Sequence, residues 1–179
     1  MATRTIRQRL CGAFAAMTFA TLLPILGLLP LTGEAVAQSP QDLVGVWTFV
    51  SAVNTRADGV SFDPYGGRPT GGMMFFASTG QFSWQIMQLD IPKLASNNRS
   101  RGTADEFKAV AQGVYSYFGT YSLDNTGKML TQHIAGSSFP NFNGASRIWA
   151  IAVTGDELTL ITQAGASGGT GELKWKRVK

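Results

Sequence analysis

The stretch LVGVWTFVSA, residues 43–52, sets a tryptophan two places after a glycine at the start of a run rich in β-branched and aromatic residues. It opens the first of eight such runs, cut by glycine-bearing turns, which is the pattern of an all-β sandwich or barrel. The runs cover residues 44–54, 72–77, 81–88, 119–123, 129–136, 147–153, 157–163 and 172–178. ASTGQ (77–81), DNTGK (124–128) and TGDE (154–157) join several of them, each placing Gly where a hairpin or bulge uses positive φ. Sequential antiparallel pairing follows. Eight strands in that order close on themselves, which removes exposed sheet edges and leaves room for a small ligand. Trp47 is expected to plug one end of this barrel.

Upstream, Arg4, Arg7 and Arg9 precede an apolar run over 10–31, and Ala35-Val36-Ala37 offers the small-x-small pattern of a signal peptidase site. The expectation is a signal peptide over 1–37, cleaved after Ala37, and one domain over 38–179, exported by the general secretory route to a periplasmic or extracellular place. The alternative is an uncleaved membrane anchor, since about 20 apolar residues span a bilayer. Pro24 and Pro30 interrupt the run and argue for cleavage. Cys11, the only cysteine, leaves with the leader, so the mature domain has neither disulfide nor thiolate metal ligand. Loss of Arg4, Arg7, Arg9 and Glu34 takes 15 basic and 11 acidic groups to 12 and 10, so a net charge of +4 falls to +2. Basicity therefore belongs largely to the leader. NNRSRG (97–102) reads as a solvated loop, because a nucleic-acid contact wants a basic stripe with stacking aromatics.

One helix is expected between the third and fourth runs. Thr103 and Glu106 form a capping box, and Phe107, Val110, Ala111, Val114 and Phe118 recur at the spacing of one helical face. The segments MMFF (73–76) and FSWQIM (82–87) are apolar at both parities, so something is expected to cover their outer face. The helix as an outer brace is the favoured cover; a partner subunit in a homodimer is the other, and the helix as a lid over the barrel mouth stays open.

LVGVW (43–47), DGVSFDPYGG (58–67), TGQFSWQIM (79–87), YFGTY (117–121), SSFPNFNG (137–144), GDELTL (155–160) and LKWKRV (173–178) occur in an order that resembles the bacterial and fungal lipocalin-like domain family. The resemblance spans nearly all of residues 43–178 and implies a calycin-type antiparallel barrel. In such a barrel G-x-W opens the first strand and a basic residue near the end packs on the tryptophan. Gly45 and Trp47 match that opening. Alternation in the last run puts Leu173, Trp175 and Arg177 on one face, so Arg177 is expected to cap the Trp47 ring, against a simpler reading in which Arg177 is exposed. The chain lacks the paired cysteines and T-D-Y motif of secreted animal lipocalins, and its helix falls mid-barrel, so a transport role does not carry over from them.

Candidate ligand contacts follow from strand parity and from strand ends. Ser83, Gln85 and Met87 share one parity of the third run; facing inward, they present a donor and an acceptor to an apolar cavity. The opposite reading has Phe82, Trp84 and Ile86 filling the barrel. Phe75, from the preceding run, joins the cavity set, and Tyr117, Phe139 and Arg147 are candidates for its rim beside glycine- or proline-bearing loops. His133, the only histidine, shares a face with Met129, Thr131 and Ala135, while Leu130, Gln132 and Ile134 share the other; either face fits the interior. GASGG (165–169) matches the G-x-S-x-G pattern but lies between strands with no helix after it, so it reads as a loop. No clustered carboxylates or paired histidines suggest a metal, and no cofactor is expected.

The leading functional expectation is an exported, non-catalytic module whose barrel takes a small apolar or amphipathic molecule. An isomerase or cyclase on a lipid-like or polyketide-like substrate, with His133 as acid/base, is the second, and a filled structural core the third. Membrane contact enters only through an uncleaved N-terminal segment.

Overall fold

The computed structural model describes residues 38–163 and 169–179. The expected leader and all of the GASGG loop but Gly169 lie outside the described residues. Nine strands are described: β1 (Gly45–Thr55), β2 (Ser61–Phe62), β3 (Thr70–Phe76), β4 (Gln81–Gln88), β5 (Val114–Leu123), β6 (Met129–Ser137), β7 (Ser146–Thr154), β8 (Glu157–Gln163) and β9 (Thr170–Arg177). Two α-helices accompany them, α1 (Pro40–Leu43) and α2 (Ala104–Gly113). From β3 to β9 each strand pairs antiparallel with its neighbour in sequence, and β1 pairs with both β3 and β9, closing an eight-stranded barrel. The two-residue β2 is an extra strand beside the end of β1, pairing Asn54 with Phe62 and Thr55 with Ser61.

Period-two alternation decides what fills the ring. Phe82, Trp84 and Ile86 point inward from β4 and are buried, as are Leu130, Gln132 and Ile134 from β6 and Trp149 and Ile151 from β7. Their alternates face out. Aromatic pairs tie the interior together. Trp84 stacks on Tyr117 (5.2 Å, 22°) and on Trp149 (5.4 Å, 19°), and meets Trp175 edge-on at 4.9 Å. Each such pair adds about 0.5–1.5 kcal/mol beyond area burial.

The two ends of the barrel differ. Tight turns join β3 to β4, β5 to β6 and β7 to β8 at one end, where Tyr121 Oη also donates to the Ala77 carbonyl at 2.9 Å. The other end carries longer connections: residues 56–69, residues 89–113 with α2, and residues 138–145 with a 3₁₀ turn at Pro140–Phe142.

Closure is also uneven along β1. Its pairing with β3 runs only from Gly45–Phe76 to Thr48–Met73, whereas its pairing with β9 continues to Thr55–Thr170. A bulge between Phe49 and Ser51 marks the divergence, since an extra residue bends a strand and increases its twist. Beyond it a slot of about 270 Å³ opens between β1 and β3, lined by Phe49, Ala52, Asp63, Tyr65, Arg68 and Thr70 among others. The Tyr65 ring meets Phe49 edge-on at 5.9 Å within it.

Two expectations about the helix are corrected. It follows β4, not the third strand, because β2 precedes it in the count. It also stops at Gly113, so Val114 and Phe118 belong to β5 and not to a helical face. The capping box is present: Thr103 N donates to Glu106 Oε2 at 2.7 Å, and Thr103 Oγ1 accepts from Glu106 N at 3.3 Å. The brace reading fails on exposure. Phe107 and Val110 stay 42% and 38% exposed, and Met73 and Phe75 on the outer wall 39% and 37%, so neither set covers the other. The helix is backed instead by its own lead-in loop, where Ala95 N donates to Glu106 Oε1 at 2.7 Å and the Ile91 side chain lies against Gly113.

Candidate ligand cavity

The tight-turn end is sealed from the first strand outward. Trp47 is fully buried, and its Nε1 donates to the Leu43 carbonyl at 2.8 Å, tying the indole to α1. Arg177 lies over the ring with its guanidinium carbon 4.1 Å from the centroid, while Nη1 donates to the Val44 carbonyl (2.7 Å) and Nη2 to the Asp42 carbonyl (2.6 Å). Gly45 explains the residue two before the tryptophan. Its φ is +131°, and a Cβ there would sit 3.1 Å from Arg177 Nη1. A side chain would strain the backbone and crowd the arginine out of its stack. The geometry makes this end a plug.

The opposite end is open to a cavity of about 230 Å³ between Trp84, Trp149, Tyr115, Tyr65, Arg147 and Leu173, with Ala52, Asn54, Thr162 and Gly171 toward the mouth. A larger concavity of about 540 Å³ shares Asn54, Thr162 and Gly171 with it and widens outward past Arg56 and Phe62. Arg147 reaches this space because it opens the inward parity of β7, two residues before Trp149. Its guanidinium lies 4.6 Å from the Trp149 ring, 5.3 Å from Phe142, and 5.9 Å from both Tyr115 and Tyr117, and its Nη1 donates to Tyr115 Oη. Among the described residues no carboxylate pairs with it.

Gln132 pairs directly with Arg147 across β6 and β7 and is fully buried on the same inner face. Its Oε1 accepts from Trp149 Nε1 at 2.9 Å and from Tyr117 Oη at 3.3 Å, which leaves Nε2 buried with no protein partner. Trp84 Nε1 is in the same position. Burial raises all three tyrosines of this region: Tyr65 is pushed up to about 12, with the Tyr115 and Asp63 charges adding to burial and Arg147 opposing it. Tyr115 is raised by burial against the pull of Arg147, and Tyr117 is raised well beyond the usual phenol range by its deeper burial. At neutral pH the three phenols keep their protons. The site therefore combines one cation, protonated phenols and an aromatic lining.

The expected contacts divide by parity. Tyr117 lies inside, its hydroxyl committed to Gln132, and Arg147 lies inside at the cavity. Ser83, Gln85 and Met87 do not: Phe82, Trp84 and Ile86 take the inner face of β4 and turn these three outward. Phe75 is outward for the same reason, paired with Ser83 across β3 and β4 while Met74 and Phe76 are buried. His133 alternates with the buried Gln132 and Ile134, so it is exposed, where Nδ1 bonds Ser146 Oγ at 2.8 Å. An acid/base role in the cavity is closed to it. Phe139 is 46% exposed and touches the site only through an edge-on contact with Phe142 at 5.0 Å. Gln132, Tyr115, Tyr65 and Trp149 were missed. For Gln132 the signal was available: it is the lone amide between Leu130 and Ile134 on an otherwise apolar parity. Among the described residues no three metal-binding side chains cluster.

A family model described as a lipocalin-like domain matches residues 44–178. The chain belongs to the lipocalin-like domain family. Among curated proteins nothing matches the sequence. This lipocalin-like protein is similar to a solved lipocalin-like protein from Bacteroides uniformis, at 16% identity, covering 76% of this chain and 99% of that one, with a TM-score of 0.41. It is also similar to a fatty acid binding protein of Schistosoma mansoni solved with arachidonic acid (14% identity, 79% and 100% covered, TM-score 0.38). A third likeness is to the REP1-NXSQ fatty acid transporter (14%, 78% and 98%, TM-score 0.37).

Proposed function

We propose that this lipocalin-like protein is an exported, non-catalytic binder of a small apolar or amphipathic molecule, held at the open end of the barrel. The observation that carries the reading is the contrast between the ends: one is plugged by Trp47, Arg177 and α1, the other holds an aromatic-lined cavity with a few convergent polar groups. That composition is the usual one for small-molecule pockets. Export rests on the N-terminal pattern of basic residues, apolar run and Ala-Val-Ala.

At about 230 Å³ the inner cavity lies below the usual range of roughly 300–1,000 Å³. That value favours a second reading, a filled structural barrel without cargo. Native mass spectrometry of the protein purified from its own host separates the two: binding gives a co-purifying small mass, lost on denaturation. A bare polypeptide mass, together with a melting temperature unmoved by any apolar probe, selects the structural reading. A polypeptide mass that begins at Gln38 is the outcome expected for cleavage after Ala37.

A further inference from the structure

We infer that Arg147 and Tyr115 in the cavity lining, with the buried Gln132 behind them, form a binding site for the carboxylate of a compact acid. The inference rests on the binding role proposed above and narrows its ligand to one chemical class.

A charged guanidinium is costly to surround with aromatic rings unless its charge and donors are answered. Arg147 is so surrounded, by Trp149, Phe142, Tyr115 and Tyr117, and among the described residues its one hydrogen bond goes to a neutral phenol. A guanidinium carries five N–H donors in a flat fork that matches a carboxylate in bidentate fashion. Those donors face the cavity without an acidic partner. Tyr115 accepts from Arg147 and keeps its own proton, so its O–H is left to donate to a further acceptor.

Gln132 supplies an independent observation. Its side chain is fully buried, its oxygen is already used twice, and its amide nitrogen has no protein partner. Direct pairing with Arg147 across β6 and β7 puts the two residues on the same inner face, where facing Cβ atoms are about 5 Å apart. Trp84, which lines the same cavity, holds a second buried donor without a partner. The guanidinium faces the cavity, whose described lining contains no carboxylate to answer it, while the amide and the indole N–H lie buried behind the wall without partners.

Size selects among acids. The inner cavity beside Arg147 holds about 230 Å³, below the usual range of roughly 300–1,000 Å³ for small-molecule pockets, which suits a compact body more than a long chain.

The test uses isothermal calorimetry at neutral pH with trans-cinnamate, its neutral counterpart cinnamyl alcohol, and palmitate, on the wild type, Arg147→Met and Arg147→Lys. Cinnamate is expected to bind the wild type at least about tenfold tighter than the alcohol, through charge-assisted bonds the alcohol cannot make. Arg147→Met is expected to erase that preference, and Arg147→Lys to keep part of it as a point charge. Acidification below about pH 4 should weaken cinnamate alone, as its carboxylate takes up a proton. Equal affinity of acid and alcohol for the wild type overturns the carboxylate site while leaving the binding role intact. Palmitate binding tighter than cinnamate overturns the compact-ligand part. If none of the three probes binds, the carboxylate site is overturned, and the native mass decides the binding role separately. The wild-type acid and alcohol comparison decides the matter even if Arg147→Met does not fold.

Discussion

Arg177 and Arg147 stand over indoles at opposite ends of one barrel, the first 4.1 Å from the Trp47 ring and the second 4.6 Å from that of Trp149. The pairs look alike as cation–π contacts and differ in what else the guanidinium does. Arg177 spends its donors on two backbone carbonyls at the barrel base, so its charge is answered inside the fold. Arg147 reaches a single phenol and otherwise faces a cavity. Donor saturation, more than ring contact, separates the two arginines: Arg177 holds the fold, and Arg147 leaves donors unspent toward a cavity.

The strongest way to break this contrast is to remove the plug. Trp47→Ala should cost about 3–5 kcal/mol, the range for losing a buried tryptophan, with the Leu43 carbonyl losing its donor as well. Urea unfolding measures it, and a cost under about 1 kcal/mol would show that the seal is not structural. The two arginines then provide the sharpest comparison. Arg177→Met should destabilise by about 2–4 kcal/mol, because two carbonyls lose charged donors along with the stack. Arg147→Met should change stability by no more than about 1 kcal/mol. Equal losses would erase the distinction.

Alkali probes the open end more gently. Tyr65, Tyr115 and Tyr117 have folded-state pKa values raised above the ordinary phenol value, so their contribution to stability is complete below about pH 10 and is lost as pH rises. For Tyr65 the window runs from 10.0 to about 12. Melting temperature should fall across that window while tyrosinate absorbance lags behind that of free tyrosine. Smallest of all is the effect of His133→Ala. The imidazole is exposed on the outer wall and bonds only Ser146, so stability should stay within about 0.5 kcal/mol and probe binding should not change. A lost affinity would put the site on the wrong side of β6.

Much of the barrel was legible because its signals are local. Gly-bearing turns bound the strands, and in LKWKRV the alternation that groups Leu173, Trp175 and Arg177 marks the inner face of β9. The site was less legible, since parity within one strand says which residues share a face and not which face is inside. FSWQIM is apolar at both parities, so Ser83 and Gln85 were as credible inside as Trp84 until the neighbouring strands fixed the direction. His133 drew attention for its chemistry, although one position earlier Gln132 held the inner place. The helix misled for a different reason. Val114 and Phe118 continue its spacing by coincidence, but Gly113 ends it and the pairing of β5 with β4 and β6 claims both residues. Tyr65 sits in a turn without periodicity, so only tertiary packing brings it to Phe49.

The short seam between β1 and β3 gives the ring a mechanical character of its own. Past Thr48 and Met73 no ladder bonds join these strands, so the wall is cut there like a split washer, and widening at the cut would break no rung of the ladder. What bridges the cut is the 63–67 turn, knit into one piece by Asp63 accepting from the Tyr65 and Gly67 amides at 2.8 and 2.9 Å, and moored at Arg68 to Asp90. Because that mooring is a solvent-exposed ion pair, worth little in energy, the turn is held across the cut mainly by the Tyr65 ring against Phe49, and one aromatic contact does there what a ladder does elsewhere.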